Sequence, residues 1–273
     1  MMNERDPMNR RAFLKALAGA AAVSAAGLTG GTALGRLFGS SRADDEESED
    51  LKYDLVLPRL KFECVEDVPD PWNISPGGDR NLLLELAKVV RCKVRMPAKP
   101  SDYDPYTGKE AHFSSVVDFR NGDEVMRYPF LFMTAEGHFE FDKTQKEGLK
   151  EYVHRGGFVL MDDCVFNGAG DFFYESSHRV LEEVFGRGSV IAVPKEHEIF
   201  HNVYDFGDAG VPHMHGVQHG ARGVFIDKRL AVLLTSSDVH CGWADRLGKW
   251  FGMPKVEQSL QFGVNVVMYA LAH

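Results

Sequence analysis

Phe158-Val159-Leu160-Met161-Asp162-Asp163-Cys164 is the stretch on which the fold turns. Four apolar residues switch abruptly to two carboxylates and a thiol, between Gly156-Gly157 and Asn167-Gly168-Ala169-Gly170. A short continuous apolar run between turn signals reads as a strand buried on both faces, the signature of a parallel sheet. Open α/β sheets bind ligands beyond the carboxyl ends of their strands, which places Asp162, Asp163 and Cys164 at the expected functional edge.

The residues before this run complete a unit around it. Pro129–Thr134 is a second apolar strand, Ala135-Glu136-Gly137-His138 turns the chain, and Asp142 with Gln145 has the spacing of a capping box. The helix that follows points Leu149, Tyr152 and Val153 inward and stops at Gly156, a natural C′ residue. A strand-helix-strand crossover of this kind is right-handed, so His138 and Asp162–Cys164 leave the sheet at the same edge.

Working outward, Leu55–Phe62 reads as the first strand, and Asp79 is placed to cap a helix over residues 80–91. Lys93–Met96 reads as a short strand, and Pro97–Gly122 as a polar insertion with a strand at Ser114–Asp118. Downstream, a helix is expected over Ser176–Phe185 and a strand over Val190–Val193. Gly223–Ile226 and Leu230–Thr235 form a hairpin around Asp227-Lys228-Arg229, and a final amphipathic helix covers Val256–Leu271. The expected fold class is α/β: a flavodoxin-like three-layer sandwich, mainly parallel, with helices on both faces.

The amino terminus has a different character. Asn9-Arg10-Arg11-Ala12-Phe13-Leu14-Lys15 resembles a twin-arginine export signal, followed by an Ala/Gly-rich run and by Ser41-Arg42-Ala43, which suits cleavage before Asp44. Residues 1–43 are therefore expected to be a removed signal, 44–52 (DDEESED and its flank) an acidic linker, and 53–273 a single domain in the periplasm or at another extracytoplasmic site. Cleavage is preferred to a retained anchor because the run has few large apolar side chains, and membrane contact is expected only if it is retained. The signal holds six Lys/Arg and two Asp/Glu, so its removal takes the net charge from −9 to −13. So acidic a domain argues against nucleic acid as a partner and leaves a small polar ligand or an envelope protein complex.

Three chemistries compete for the carboxyl edge. His197-Glu198-Ile199-Phe200-His201 matches the zinc-protease HExxH pattern, but it follows a strand and Pro194 and is broken soon after by Asn202–Gly207. A loop whose Ile199 and Phe200 plug the core is the favoured reading of that segment. Cys164 with His197, His201 or His240 as base would make a Cys-His nucleophile, although two neighbouring carboxylates raise a thiol's pKa and oppose it. The third chemistry is ligand or metal binding by His138, Asp162, Asp163, Cys164, His201, Cys241 and Trp243. Asp163, His201 and His240 are the metal ligands proposed within it, for zinc or another divalent transition ion. His213-Met214-His215 and His219 form a His-rich loop nearby, and Cys164 and Cys241 are positioned to meet as a disulfide or as co-ligands. Because no complete catalytic set stands at proper spacing, a non-catalytic binding module is the first expectation. A hydrolase using metal-bound water or a Cys-His pair is the alternative.

The order Tyr128–Phe132, Gly137-His138-Phe139, Gly156-Gly157-Phe158, Asp162-Asp163-Cys164, Ile199-Phe200-His201, Arg229–Val232, Cys241-Gly242-Trp243 and Gly263-Val264-Asn265 resembles the domain-of-unknown-function family numbered 4159. That family is similar to the class I glutamine amidotransferase-like superfamily, and the resemblance implies its flavodoxin-like sandwich. The amidotransferase elbow Gly-x-Cys-x-Gly is not matched around Cys164, and no His-x-Glu pair follows late in the chain.

Overall fold

A computed structural model describes residues 54–69, 71–90, 93–96, 113–165 and 170–273. The expected signal and linker, Cys92 and most of the polar insertion lie outside the described residues. The elements in order are β1 (Pro58–Leu60), α1 (Pro76–Val89), β2 (Ser115–Val117), α2 (Gly122–Val125), β3 (Phe130–Met133), α3 (Lys143–His154), β4 (Phe158–Asp162) and α4 (Phe172–Phe185). After them come β5 (Ile191–Ala192), β6 (Arg222–Ile226), β7 (Arg229–Thr235), α5 (Val239–Ala244) and α6 (Met253–Ala272). The strands form one seven-stranded sheet in the order β2-β1-β3-β4-β7-β6-β5. Its first five members are parallel, and β6 pairs antiparallel with both neighbours. This is the α/β three-layer, flavodoxin-like architecture.

Alternation along the strands divides the core in two. Phe130, Phe132, Phe158 and Leu160 face the layer of α1, α5 and α6, whereas Leu131, Met133, Val159 and Met161 face α3 and α4. Central strands buried on both sides need this unbroken apolarity, which is what the 158–161 run shows. The capping box at Asp142 forms, with Asp142 accepting from Gln145 N and Gln145 accepting from Asp142 N. Asp227 and Lys228 close the β6–β7 hairpin with φ of 49° and 69°, the pair of left-handed residues that a tight primed turn requires.

Three local expectations are corrected. The first strand shrinks to Pro58–Leu60, and Lys93–Met96 contributes only an isolated Leu55–Val94 bridge. Helix α1 starts at Pro76, four residues before position 80, because proline suits the first helical turn. Asp79 therefore lies inside α1 and caps nothing; its carboxylate is buried against Arg59 of β1.

Candidate functional site

The carboxyl ends of β3, β4 and β7 continue their pairing past the strands. Cys164 N donates to Ala135 O and Asp163 N to Thr235 O, so the chain after β4 is pinned between its neighbours. Met214 N donates to Ser237 O, and His219 N donates to Ser236 Oγ. The His-rich loop is thereby fastened over this edge. Asp238 then reverses the chain into α5 with a left-handed backbone, φ 51°, which is costly for a residue with a Cβ.

Two polar clusters are buried here. The first is Arg59, Asp79 and His240, all fully buried. Arg59 reaches Asp79 through Nε at 3.2 Å and through Nη2, and its Nη1 donates to Trp72 O and Ile74 O. His240 Nε2 lies 3.0 Å from Arg59 Nη2 and 3.2 Å from Asp79 Oδ1. Burial pushes the Asp79 carboxyl up, but the Arg59 charge and His240 outweigh it and hold it below the usual carboxylate range. Burial, with Arg59 adding to it, lowers the His240 pKa, which favours the neutral imidazole.

The second cluster is Cys164, Asp238 and Cys241. The sulfurs are 3.8 Å apart, hydrogen-bonded as thiols and not joined as a disulfide. One ligand atom from each of the three residues falls within 4.8 Å of the other two. Asp238 is fully buried, and neither of its carboxylate oxygens makes a hydrogen bond. His215 Nδ1 approaches Oδ2 to 2.8 Å as an ion-pair contact. That contact raises the His215 pKa. Asp162 and Asp163, also fully buried, lie beside this cluster. Asp162 accepts from Thr235 Oγ1 and His240 N, and burial followed by the Asp238 charge holds its pKa well above normal. Asp163 accepts from Tyr174 N while its Oδ2 has no partner, and burial with the Asp162 charge raises it to about 9. The Cys164 thiol is raised by its bond with Cys241 and by burial. The same bond lowers Cys241, but burial and the Asp238 charge win and hold it at about 12.

The structure brings together some of the expected residues and separates others. Asp162, Asp163, Cys164 and Cys241 converge. His138 emerges at the same edge but is engaged by Glu66 at 2.5 Å and stacked on Phe172. His240 meets Asp162 through its backbone, while its ring turns to the α1 face, with Nε2 against Arg59 and Asp79 and Nδ1 without a hydrogen-bond partner. Trp243 is corrected from ligand wall to core anchor, fully buried against Phe132 with Nε1 donating to Ser259 O. His201 is corrected most. After β5 the chain doubles back across the sheet face: Phe200 packs on Phe262, and His197 packs on Tyr269, which touches Phe158 and binds Leu230 N at the opposite ends of β4 and β7. His201 itself is exposed and bonded to Asp205 and Lys195 O. Asp238 went unselected in the sequence. Its one signal is an acid directly after the polar Thr235-Ser236-Ser237 end of a buried strand.

Gly242 explains the Cys-Gly-Trp motif. A Cβ there would stand 2.4 Å from Ser259 Oγ and 2.8 Å from Met214 Sδ, so only glycine lets α5 seat Cys241 beneath the loop while Trp243 enters the core. The model of the family described as domain of unknown function (DUF4159) matches residues 57–271, and the chain belongs to that family. No curated protein matches the chain.

Proposed function

We propose that this chain is an exported, non-catalytic binding module of the cell envelope whose ligand seats at the carboxyl ends of β4 and β7. The observation that carries this reading is the setting of Cys164. Its hydrogen-bonding partner is the Cys241 thiol, while the buried imidazole at this edge, His240, spends Nε2 on Arg59 and Asp79. Held as a thiol beside a second thiol, Cys164 is a poor nucleophile, and it turns into a ligand when a bound cation displaces the proton. The superfamily likeness adds only the fold, since fold does not fix function. Export rests on the twin-arginine pattern at Arg10-Arg11. No helix among the described residues is long and apolar enough to cross a membrane.

The test is a panel of ester, amide and glycoside substrates against the folded, exported protein. No turnover is expected. Turnover abolished in Cys164→Ser, or by chelation, would replace this reading with the hydrolase. Fractionation of cells carrying Arg10→Lys with Arg11→Lys tests export, and loss of the extracytoplasmic pool is expected.

A further inference from the structure

We propose that Cys164, Asp238 and Cys241 are a three-ligand site for a thiophilic divalent cation of the zinc type, with His215 positioning the Asp238 carboxylate. This rests on the binding-module reading for its location and narrows the ligand to a metal ion.

The distances fit such an ion. Tetrahedral zinc with Zn–S bonds of about 2.3 Å separates two sulfur ligands by about 1.63 bond lengths, or roughly 3.8 Å. The Cys164 and Cys241 sulfurs are 3.8 Å apart. Three atoms all within 4.8 Å of one another share a centre no more than 4.8/√3, about 2.8 Å, from each, so shifts of about half an ångström reach bonding distance. Two thiols and a carboxylate select zinc-like ions over magnesium or calcium, which prefer all-oxygen shells.

The electrostatics need a cation. Asp238 is a fully buried carboxylate whose Oδ2 is met by the part-exposed His215 at 2.8 Å while Oδ1 has no hydrogen-bond partner, an incomplete satisfaction that native proteins avoid unless something else meets the group. Asp162 and Asp163 add two more buried carboxyls; the basic groups facing the cluster are His215 and His213 on the covering loop, Lys255 at the start of α6, and from the far side His240, which burial and Arg59 keep neutral. The frame is rigid as well: Cys164 is fixed to Ala135, Met214 to Ser237, and Cys241 by the packing of Gly242 on Ser259. The His215 side chain is 40 % exposed and Cys241 is half-buried, so the site has a mouth. Solvent or a small ligand takes the fourth position there, as at open metal sites. His215 against the ligating carboxylate is the kind of outer contact that orients metal ligands. On loading, each thiol gives its proton to buffer and its sulfur lone pair to the cation, so two protons leave per ion bound.

The experiment uses the full chain, reduced and stripped with chelator, titrated first with Co²⁺ and then with Zn²⁺. One equivalent of Co²⁺ should give a thiolate-to-cobalt charge-transfer band and tetrahedral visible bands, both abolished by one equivalent of Zn²⁺. Cys164→Ser and Cys241→Ser should each weaken the charge-transfer band with circular dichroism unchanged, and the double variant should lose it. Asp238→Asn should cut affinity at least tenfold. His215→Ala should cut it several-fold while keeping the sulfur band, and His215→Asn should restore much of the loss. His201→Ala should match the parent. Absence of binding by the reduced parent overturns the proposal, and so does a charge-transfer band that survives in the double cysteine variant. Loss of two thiols on mild oxidation, in a parent that takes up no metal when reduced, also overturns it and assigns the pair to a disulfide. Substrate turnover by the metal-free protein would break the binding-module reading without touching this one.

Discussion

Two buried polar clusters sit within one turn of α5 and differ in how completely they are satisfied. On the α1 face, Arg59 donates to Asp79 and to two backbone carbonyls, and His240 closes the group. Opposite signs meet there, and the guanidinium has acceptors on all three nitrogens. At the strand edge the Asp238 carboxylate meets two thiols, with only the part-exposed His215 approaching it as a cation and its Oδ1 left without a hydrogen bond. Complete charge pairing behind a closed surface separates a structural network from a site that has a half-buried thiol at its mouth. The first holds α1 and α5 to β1; the second is organised for something that is not part of the chain.

The sharpest way to break that contrast is to cut each cluster in turn. Arg59→Met should strand Asp79 and cost about 3–5 kcal/mol in chemical denaturation, the usual result of removing one partner of a buried pair. A loss below about 1 kcal/mol would show that the network is not structural. Gly242→Ala should cost roughly 1–3 kcal/mol by overpacking Ser259 and Met214, and should weaken metal uptake by displacing Cys241.

Acid should reach the first cluster in a definite direction. The folded pKa of Asp79 lies below its unfolded value, so the native state binds fewer protons in that window. Its contribution is fully present above the ordinary carboxylate pKa and is lost as pH falls through the folded value. Asp79→Asn should flatten that acid limb in stability against pH; an unaltered limb would contradict the assignment. The smallest effect is expected at the second cluster: Asp238→Asn in metal-free protein should cost about 1 kcal/mol or less, because it gives up only the part-exposed His215 contact and removes a buried charge. A large loss there would make the two clusters alike.

The same contrast explains what the sequence could and could not disclose. The 158–164 run placed a central strand and its edge, and the Asp142 capping box and the 227–228 turn were legible because local chemistry dictates them. Asp79 misled because a capping residue and a buried salt-bridge partner look identical until Arg59 is known to lie in β1 beside it. His201 misled because a loop after a strand was expected to stay at that strand's end. The burial of Ile199 and Phe200 instead drew the chain back over the sheet face. Cys164 and Cys241 could be paired from their strand ends, but Asp238 needed coordinates. Its importance lies in its burial beside the two sulfurs with one oxygen left unbonded, and no sequence displays that.

Zinc-edge X-ray absorption on protein loaded with one equivalent of Zn²⁺ decides whether the Cys164, Asp238 and Cys241 cluster is built for a cation. Two sulfur ligands at about 2.3 Å and the remainder oxygen or nitrogen at about 2.0–2.2 Å are expected, with one sulfur lost in Cys241→Ser. A shell of oxygen and nitrogen alone, identical in parent and variant, would contradict it.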